Sequence, residues 1–266
     1  DVLKVKKVVI ITLTYNKLEQ ATKPYLESLY KYTDENLFDL VIVDNASADG
    51  SANYVKEFAK SHNNITLIEN SENLGYAGGN NIGLKFIQNK DYEFVGLLNN
   101  DILFTPNWLE NTIKGFELDS GLGMLSPRNN EKCKLTNKNY LDGYKKYLQK
   151  FKAPLKYVVT PFFSCVIIKK EVVDKVGLLD EAFRPAFWED NDYSFRAMYL
   201  GYGLAYVNSA FIFHNHSTTS SSISSEIYDR NREYFYKKHP LGKWIWEHKR
   251  SNIIKDFKRY IRESFE

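Results

Sequence analysis

The chain has 266 residues and a formal net charge of +3, with 43% hydrophobic and 26% charged residues. This composition excludes a disordered or fibrous chain and fits one large α/β domain, alone or with an appended subdomain. The charge is too small to indicate a nucleic acid partner, and no apolar run reaches the ~20 residues of a membrane-spanning helix.

The C-terminal segment differs in composition from the rest. From Glu226 onward there are 11 Lys and Arg against 7 Asp and Glu, with Trp244 and Trp246 among Tyr and Ile. Such a segment either lies on an anionic membrane or packs as a helical subdomain. We therefore expect a domain of residues 1–225 and a basic aromatic helical tail of residues 226–266. The expected location is the cytoplasm, with the inner face of the plasma membrane as the site of any peripheral association.

Residues 1–125 alternate short apolar strands with helices. Strands are predicted at residues 8–11, 40–43, 65–68 and 94–98, and helices at 18–32, 51–61 and 79–88, with a further helix starting at Thr105 as N-cap and Pro106. This pattern is typical of a parallel sheet covered on both faces. Residues 126–153 read as an excursion over the site, followed by strands at 158–169, 204–207 and 211–213, a helix at 170–176 and a helical tail from Ile227.

Polar residues follow four of these strands. They are residues 12–16, 44–47, 70–73 and 99–101. Ligands of parallel sheets bind beyond the carboxyl ends of the strands, which meet at one edge. Each group taken singly fits a turn or a helix cap, whereas four together favour a binding site.

Asn99, Asn100 and Asp101 interrupt an apolar run and offer oxygen ligands of the kind that Mg²⁺ and Mn²⁺ prefer. The alternative is a strand-terminating turn. His214 follows an apolar strand and either serves structure or complements a carboxylate at a Mn²⁺ site.

A second acidic group, Trp188-Glu189-Asp190-Asn191-Asp192, precedes Arg196. Acids at a helix start are favoured by the helix dipole, and Asp192 and Arg196 are spaced as an i,i+4 ion pair. Three carboxylates in four residues exceed what a helix start needs. Because like charges raise one another's pKa, a carboxylate beside an apolar wall can act as a general base.

Closely spaced glycines occupy residues 73–83, before a predicted helix, where backbone N–H groups can approach phosphate or sugar. The spacing matches neither the dinucleotide fingerprint nor the P-loop.

Taken in order from about Val8 to Ser220, these segments resemble the inverting glycosyltransferases of family 2. Residues 12–16 resemble the first-strand motif beside the nucleotide, residues 43–50 the VDNxSxDG segment, and residues 73–83 the NxGxxxGxNxG element. Asn99-Asn100-Asp101 stands where the family has its D-x-D metal motif. The leading Asn resembles the rhamnosyltransferase-like branch. Trp188-Glu189-Asp190 resembles the family's ED motif.

The resemblance implies a GT-A (nucleotide-diphospho-sugar transferase) fold, with a mostly parallel central sheet flanked by helices and a C-terminal helical extension. Residues 1–125 would form the nucleotide-binding half and residues 126–225 the acceptor-binding and catalytic half. Asp190 is implied as the base, assisted by Glu189. Asp101, Asn99 and His214 are implied as ligands of Mn²⁺ or Mg²⁺. The implied nucleotide-sugar contacts are Thr12, Thr14, Tyr15, Asn16, Asp44, Asn73, Gly78, Gly79, Asn80 and Asn100. Trp188 and Trp108 either stack on acceptor sugars or belong to the core.

The activity implied is a single displacement that moves a sugar from a nucleoside-diphosphate donor, dTDP-rhamnose or a UDP-sugar, to a hydroxyl of a glycan or lipid-linked acceptor in cell-surface polysaccharide synthesis. One alternative is a non-catalytic carbohydrate-binding or scaffold module of the same fold, since the metal motif lacks its first Asp. A nucleotidyltransferase would instead need a Gly-rich, basic loop after the first strand, where residues 14–17 read Thr-Tyr-Asn-Lys.

Overall fold

The computed structural model describes residues 8–215 and 224–247. The strands are β1 (Val8–Thr14), β2 (Phe38–Asp44), β3 (Ile65–Glu69), β4 (Phe94–Asn99), β5 (Ile102–Phe104), β6 (Leu122–Arg128), β7 (Leu155–Tyr157), β8 (Cys165–Lys169) and β9 (Gly203–His214). The α-helices are α1 (Lys23–Tyr32), α2 (Ser51–Ala59), α3 (Gly75–Ile87), α4 (Trp108–Gly115), α5 (Tyr140–Leu148), α6 (Lys170–Val176), α7 (Glu189–Tyr199), α8 (Ser225–Lys238) and α9 (Pro240–Glu247). A π-helical turn, Leu18–Thr22, precedes α1.

The strands form one mixed sheet in the order β3-β2-β1-β4-β8-β6-β9-β5, with β7 also paired to β9. The first four are parallel, as the sequence predicts, and their register places Thr14 beside Asp44 and Leu13 beside Asn99. This register brings the polar ends of β1, β2 and β4 to the same edge. Beyond β4 the sheet is mixed, because β8 runs antiparallel to both β4 and β6.

Three strand predictions in the second half are wrong. Of the strand predicted at 158–169, only Cys165–Lys169 forms a strand, β8. Residues 126–153 are not only an excursion, since β6 runs to Arg128 in the interior of the sheet, between β8 and β9. The Ser-Pro-Arg ending of β6 hid this strand. The two strands predicted at 204–207 and 211–213 are one strand, β9, whose polar Asn208 and Ser209 lie where the β6–β9 register shifts.

The helix after β5 begins later than predicted. Asn107 adopts a left-handed φ of 59°, and α4 starts at Trp108. Thr105 does not cap the helix, because its hydroxyl donates to the Phe211 carbonyl 2.6 Å away. This hydrogen bond instead holds the loop between β5 and α4 against β9.

Helices cover both faces of the sheet. Alternate residues of β1 point to opposite sides, so that Val9 and Ile11 join one buried cluster while Val8 and Ile10 join the other. The first cluster includes side chains of α3, α6, α7 and α8, and the second includes side chains of α1, α2 and α4. No helix within residues 8–215 or 224–247 is long and apolar enough to cross a bilayer.

The first helix of the predicted tail packs onto the domain. Phe235 of α8 is fully buried in the same cluster as Trp188 and Phe195. The fully buried Asp192 of α7 contacts Arg196 at 2.8 Å, Lys238 at 2.7 Å and His239 at 2.8 Å. These ion pairs fasten α8 to α7. The predicted tail residues 248–266 lie outside the described ranges.

Replacing Asp192 by Asn should destabilise the fold. Burial alone would raise the pKa of Asp192, but the hydrogen bond from His239 and the charges of Arg196 and Lys238 lower it to about 2. A carboxyl with a lowered pKa stabilises the folded state above its unfolded pKa, and this contribution is lost as the pH falls through about 2. We expect a loss of about 2 kcal/mol in the free energy of unfolding near neutral pH. Urea unfolding of both proteins from pH 7 downward measures it.

Asp174→Asn is the matched control, because Asp174 forms a surface i,i+4 pair with Lys170. Exposed pairs of this kind contribute about 0.2–1 kcal/mol. Equal effects of the two substitutions would contradict the role assigned to Asp192.

Candidate functional site

The ends of β1 and β2 are joined through the carboxylate of Asp44. The Thr14 hydroxyl donates to one carboxylate oxygen at 2.7 Å, and the Ser47 backbone N–H donates to the other at 2.8 Å. Asp44 and Thr14 are both buried at the edge of the sheet. A carboxylate offers about four acceptor positions, so Asp44 retains capacity for a ligand donor.

The loops that follow these two strands are bonded to each other. The Asn16 N–H donates to the Ser47 hydroxyl at 2.8 Å, and the Ala48 N–H donates to the Asn16 side chain at 2.9 Å. Asn16 and Ala46 have φ values of 53° and 63°. This arrangement leaves the ring of Tyr15 at the rim with 40% of its surface exposed. Tyr15 is therefore accessible to a planar ligand such as a nucleobase.

Thr12 does not reach this rim. It is fully buried, and its hydroxyl is 2.6 Å from the hydroxyl of Tyr25 in α1. Asn80 is likewise buried, with its amide donating to the Tyr76 carbonyl within α3. Burial and the contact with Tyr25 speak against the predicted ligand contact of Thr12, and burial speaks against that of Asn80.

The glycines of α3 serve packing. A Cβ at Gly79 would lie 2.9 Å from side-chain atoms of both Asn45 and Leu13, and one at Gly78 would lie 2.9 Å from Leu74. Both glycines are buried, and the missing side chain of Gly79 lets α3 approach β1 closely. The contact of Gly78 and Gly79 with the nucleotide sugar stays a prediction. Asn73 is exposed, and its side chain accepts from the Gly75 N–H at 2.9 Å at the start of α3.

The Asn99-Asn100-Asp101 turn has partners within the protein. The Asn100 amide donates to the Thr22 hydroxyl at 3.1 Å, which directs it toward the π-helical turn. Asp101 Oδ1 lies 3.1 Å from Nε2 of His214. The predicted pairing of Asp101 with a histidine 113 positions later is thus present, because Ile102 of β5 pairs with His214 of β9.

Asn130 fixes the position of His214. Its amide donates to the His214 carbonyl at 3.0 Å, and its side-chain oxygen accepts from the His214 N–H at 2.6 Å. In addition, the Asn215 N–H donates to the Asp101 carbonyl at 2.8 Å. The sequence analysis did not single out Asn130, although it follows an apolar run as the other polar strand ends do.

The Asp101–His214 pair suits a divalent cation. A carboxylate oxygen and an imidazole nitrogen are ligand types that Mn²⁺ accepts, and phosphate or water oxygens complete such a shell. Within the residues that the structure describes, no group of three or more His, Cys, Asp and Glu side chains is placed to hold a metal. Asp101 and His214 therefore fit a cation whose other coordination positions are filled by a bound ligand or water. Asn99 remains a predicted weaker ligand.

Glu189 and Asp190 open α7, where the helix N-terminus favours negative charge. Glu189 is 6% exposed, and its Oε2 has no hydrogen-bond partner among the described residues. Burial, followed by the charge of Asp190, raises the pKa of Glu189 well above its usual range. The half-buried Asp190 accepts from the N–H and amide of Asn191 at 2.7 and 2.9 Å, and burial raises its pKa too. An accessible carboxylate of raised pKa is suited to taking a proton.

Residues 158–164 connect the two acidic groups. Ser164 accepts from the Asn99 N–H at 3.0 Å, and Phe163 accepts from the Tyr76 hydroxyl at 3.2 Å. The Thr160 hydroxyl donates to the Asn191 side chain at 3.0 Å, in the first turn of α7. Residues 158–164 thus contact the end of β4, α3 and the first turn of α7. A single site shared by the two acidic groups stays a prediction.

Neither tryptophan is open to a sugar. Trp108 is fully buried among the residues of the second cluster, and its indole N–H donates to Thr33 at 2.8 Å. Trp188 is 2% exposed and packs against Phe235 and Tyr228. The alternative that both belong to the core is correct, and the predicted stacking on acceptor sugars is wrong. Tyr228, which is 40% exposed over Trp188, is the accessible ring at this place.

Arg128 is a buried cation that the sequence analysis missed. Its Nε donates to Asn208 at 2.6 Å, and its guanidinium lies 4.1 Å from the ring centroid of Phe151 and 4.9 Å from that of Tyr206. Burial lowers the pKa of Arg128. Arg128 is buried because it ends β6, an interior strand that the sequence pattern does not predict.

Comparison with known proteins agrees with this geometry. The model of the family described as Glycosyl transferase family 2 matches residues 9–177, more than half of the chain. A curated relative from Methanocaldococcus jannaschii, named Uncharacterized glycosyltransferase MJ1057, is 24% identical over 195 residues, which are 70% of this chain and 66% of that protein. Glu189, Asp190 and His214 lie beyond the family match.

Solved structures share the fold. GalNAc-T7 with UDP, GalNAc and Mn²⁺ superposes with a TM-score of 0.67 at 16% identity, covering 98% of this chain and 55% of that one. The mannosyltransferase PcManGT from Pyrobaculum calidifontis, in complex with GDP-Man and Mn²⁺, superposes with a TM-score of 0.62 at 20% identity. The superposition covers 81% of this chain and 58% of that one. S. aureus TarS 1–349 with UDP-GlcNAc superposes with a TM-score of 0.62 at 17% identity, covering 86% of this chain and 65% of that one.

This chain therefore spans roughly half to two thirds of the length of each of these four proteins. The structural similarities confirm the GT-A fold, and the family match confirms the family. The chain belongs to glycosyl transferase family 2.

Proposed function

We propose that this protein is an inverting, metal-dependent glycosyltransferase that moves a sugar from a nucleoside diphosphate to an acceptor hydroxyl. One observation carries the proposal. A half-buried aspartate of raised pKa, Asp190, lies beside a buried glutamate with an unpartnered oxygen, in the region that the end of β4 also borders. A proton acceptor and a metal-ligating pair on one site are what glycosyl transfer to a hydroxyl requires.

The nucleotide would bind across the ends of β1 and β2. Tyr15 offers an exposed ring, and the carboxylate of Asp44 keeps acceptor capacity at the same edge. Thr14 and Asn16 hold that edge in place through their bonds to Asp44 and Ala48. GalNAc-T7, PcManGT and TarS are described with UDP, GDP-Man and UDP-GlcNAc respectively. The Asn at position 99 supports dTDP-rhamnose as the first donor to test, with UDP-sugars next.

In the reaction, Asp190 accepts the proton of the acceptor hydroxyl as its oxygen bonds to the anomeric carbon. The bond from that carbon to the diphosphate oxygen breaks on the opposite face, which inverts the configuration. Glu189, whose raised pKa favours the protonated form, donates a hydrogen bond that orients the acceptor. Asp101 and His214 would hold the divalent cation, which supplies positive charge for the departing diphosphate.

The acceptor we propose is a glycan or lipid-linked saccharide in cell-surface polysaccharide synthesis. Leu241 and Trp244 of α9 are 42% and 48% exposed, and a lipid-linked acceptor would place this apolar surface beside a membrane.

The competing function is a carbohydrate-binding module without turnover. It is favoured by the Asn at position 99 and by the two-residue metal pair.

Asp190→Asn should reduce turnover by about 10²- to 10⁴-fold, because a general base contributes roughly that much. The base is active only when deprotonated, so activity falls as the pH drops through a pKa above the usual aspartate value. Slow hydrolysis of the donor with Mn²⁺, followed from pH 4 to 9, measures both effects. Equal measurable rates for wild type and Asp190→Asn would remove Asp190 as the base. No hydrolysis by either protein would favour the non-catalytic module.

Glu189→Gln should retain most activity, whereas Glu189→Leu should lose it. Glutamine keeps the size and the hydrogen-bond donor of a protonated carboxyl, and leucine keeps only the volume. The same hydrolysis assay compares them. A glutamine variant as inactive as Asp190→Asn would show that Glu189 acts as a charged carboxylate instead.

A panel of dTDP-rhamnose, UDP-GlcNAc and GDP-mannose, with and without Mn²⁺, should identify the donor by thermal shift. A ligand at 100 times its Kd stabilises the folded state by about 2.7 kcal/mol. We expect Mn²⁺ to increase the shift for the true donor, and Asp101→Asn and His214→Ala to remove that increase. If Mn²⁺ increases the thermal shift equally in wild type and in both variants, the metal does not bind to Asp101 and His214.

A further inference from the structure

Two aromatic residues directly before the acid pair have an unusual backbone. Phe187 and Trp188 have φ values of 78° and 75°, in the left-handed region that bulky residues rarely adopt. Such conformations persist only where the surrounding structure holds them. Since Trp188 immediately precedes Glu189, the direction in which α7 starts depends on this pair.

The segment leading to them is held at each of its carbonyls. The amide of Asn231, in α8, donates to the carbonyls of Phe183 at 2.7 Å, Ala186 at 3.0 Å and Phe187 at 3.1 Å. Arg230 donates to the Arg184 carbonyl, and the Tyr76 N–H donates to that of Pro185 at 3.0 Å. Five consecutive carbonyls therefore accept hydrogen bonds from outside the segment, three of them from one side chain.

Asn231 is itself fixed. It is 1% exposed, and its side-chain oxygen accepts from Nε and Nη2 of Arg230 at 3.0 and 2.8 Å. Its two amide hydrogens are shared among three carbonyls, so every polar atom of the side chain is used. Aspartate has the same shape but would turn acceptor oxygens toward those carbonyls. No residue of similar volume reproduces the contacts.

We propose that Asn231, braced by Arg230, is a positioning residue for Glu189 and Asp190, and that α8 is part of the catalytic architecture. The inference rests on the proposed function of the acid pair. Docking of α8 is provided separately by Phe235 and by the contacts of Lys238 and His239 with Asp192. Asn231 thus acts on the segment before α7 rather than on the attachment of α8.

The test compares Asn231→Asp with Asn81→Asp. Asn81 is equally buried, donating at 2.9 Å to the Leu179 carbonyl and to Glu181 and accepting from the Leu179 N–H. Both substitutions remove buried amide donors next to residues 179–183. Both should lower the melting temperature, but only Asn231→Asp should alter the acid pair.

The activity readout is hydrolysis of whichever of dTDP-rhamnose, UDP-GlcNAc and GDP-mannose gives the largest thermal shift. For Asn231→Asp we expect kcat to fall about 10- to 100-fold, because a shift of the acid pair by ~1 Å is enough to slow catalysis that much. The KM for the donor should change little. The acid limb of the pH profile should move to lower pH, because a loosened segment admits water to Asp190. Asn81→Asp should retain the wild-type kcat and profile.

A second readout needs no substrate. In protein labelled with 5-fluorotryptophan, the ¹⁹F resonance of Trp188, assigned by Trp188→Phe, should shift in Asn231→Asp and stay in place in Asn81→Asp. If Asn231→Asp does not fold, Arg230→Met removes the brace from an exposed position and should change kcat and the resonance in the same direction, by less.

The possible outcomes are distinct. Asn231 variants that keep the wild-type kcat, pH profile and Trp188 resonance would overturn the positioning role while leaving Asp190 as the base. If Asp190→Asn hydrolyses donor at the wild-type rate, the proposed function fails, whereas the ¹⁹F result still reports whether Asn231 fixes the segment.

Discussion

Burial of two adjacent carboxyl groups at the first turn of α7 is the constraint on which the proposed chemistry depends. Glu189 and Asp190 both have raised pKa values, with desolvation as the main cause. Removing carboxylates from water is costly, and the positive end of the helix dipole offsets only part of that cost. The fold holds the residues on both sides of the pair: Thr160 donates to Asn191 just after it, and Asn231 of α8 donates to the Phe187 carbonyl just before it.

A third carboxyl on the same helix has the opposite electrostatic environment. Asp192 is fully buried, yet contacts with His239, Arg196 and Lys238 lower its pKa to about 2. Within four residues, α7 thus carries acids adapted to exchange a proton and an acid adapted to remain charged. The difference arises from what packs against each side chain, because Asp192 alone faces basic groups.

Much of the architecture was predictable because its signals are local. The apolar runs of β1, β2 and β4 define buried strands, and the parallel register then brings Thr14, Asp44 and the Asn99–Asp101 turn to one edge. The Asp101–His214 contact was also anticipated, from ligand chemistry and resemblance. Strand β6 escaped prediction, because Ser126, Pro127 and Arg128 are buried polar or helix-breaking residues whose partners are distant in sequence.

The sequence by itself determined the strand–helix alternation, the polar strand ends and the presence of adjacent acids at a helix start, since these depend on residue type and spacing along the chain. Only the tertiary structure decided which polar and aromatic groups stay accessible. Thr12, Asn80 and Trp108 match the expected pattern but are enclosed by α1, α3 and the core, whereas Tyr15 remains exposed. Accessibility depends on the element packed opposite a side chain, and that element comes from another part of the chain, as Tyr25 of α1 does for Thr12.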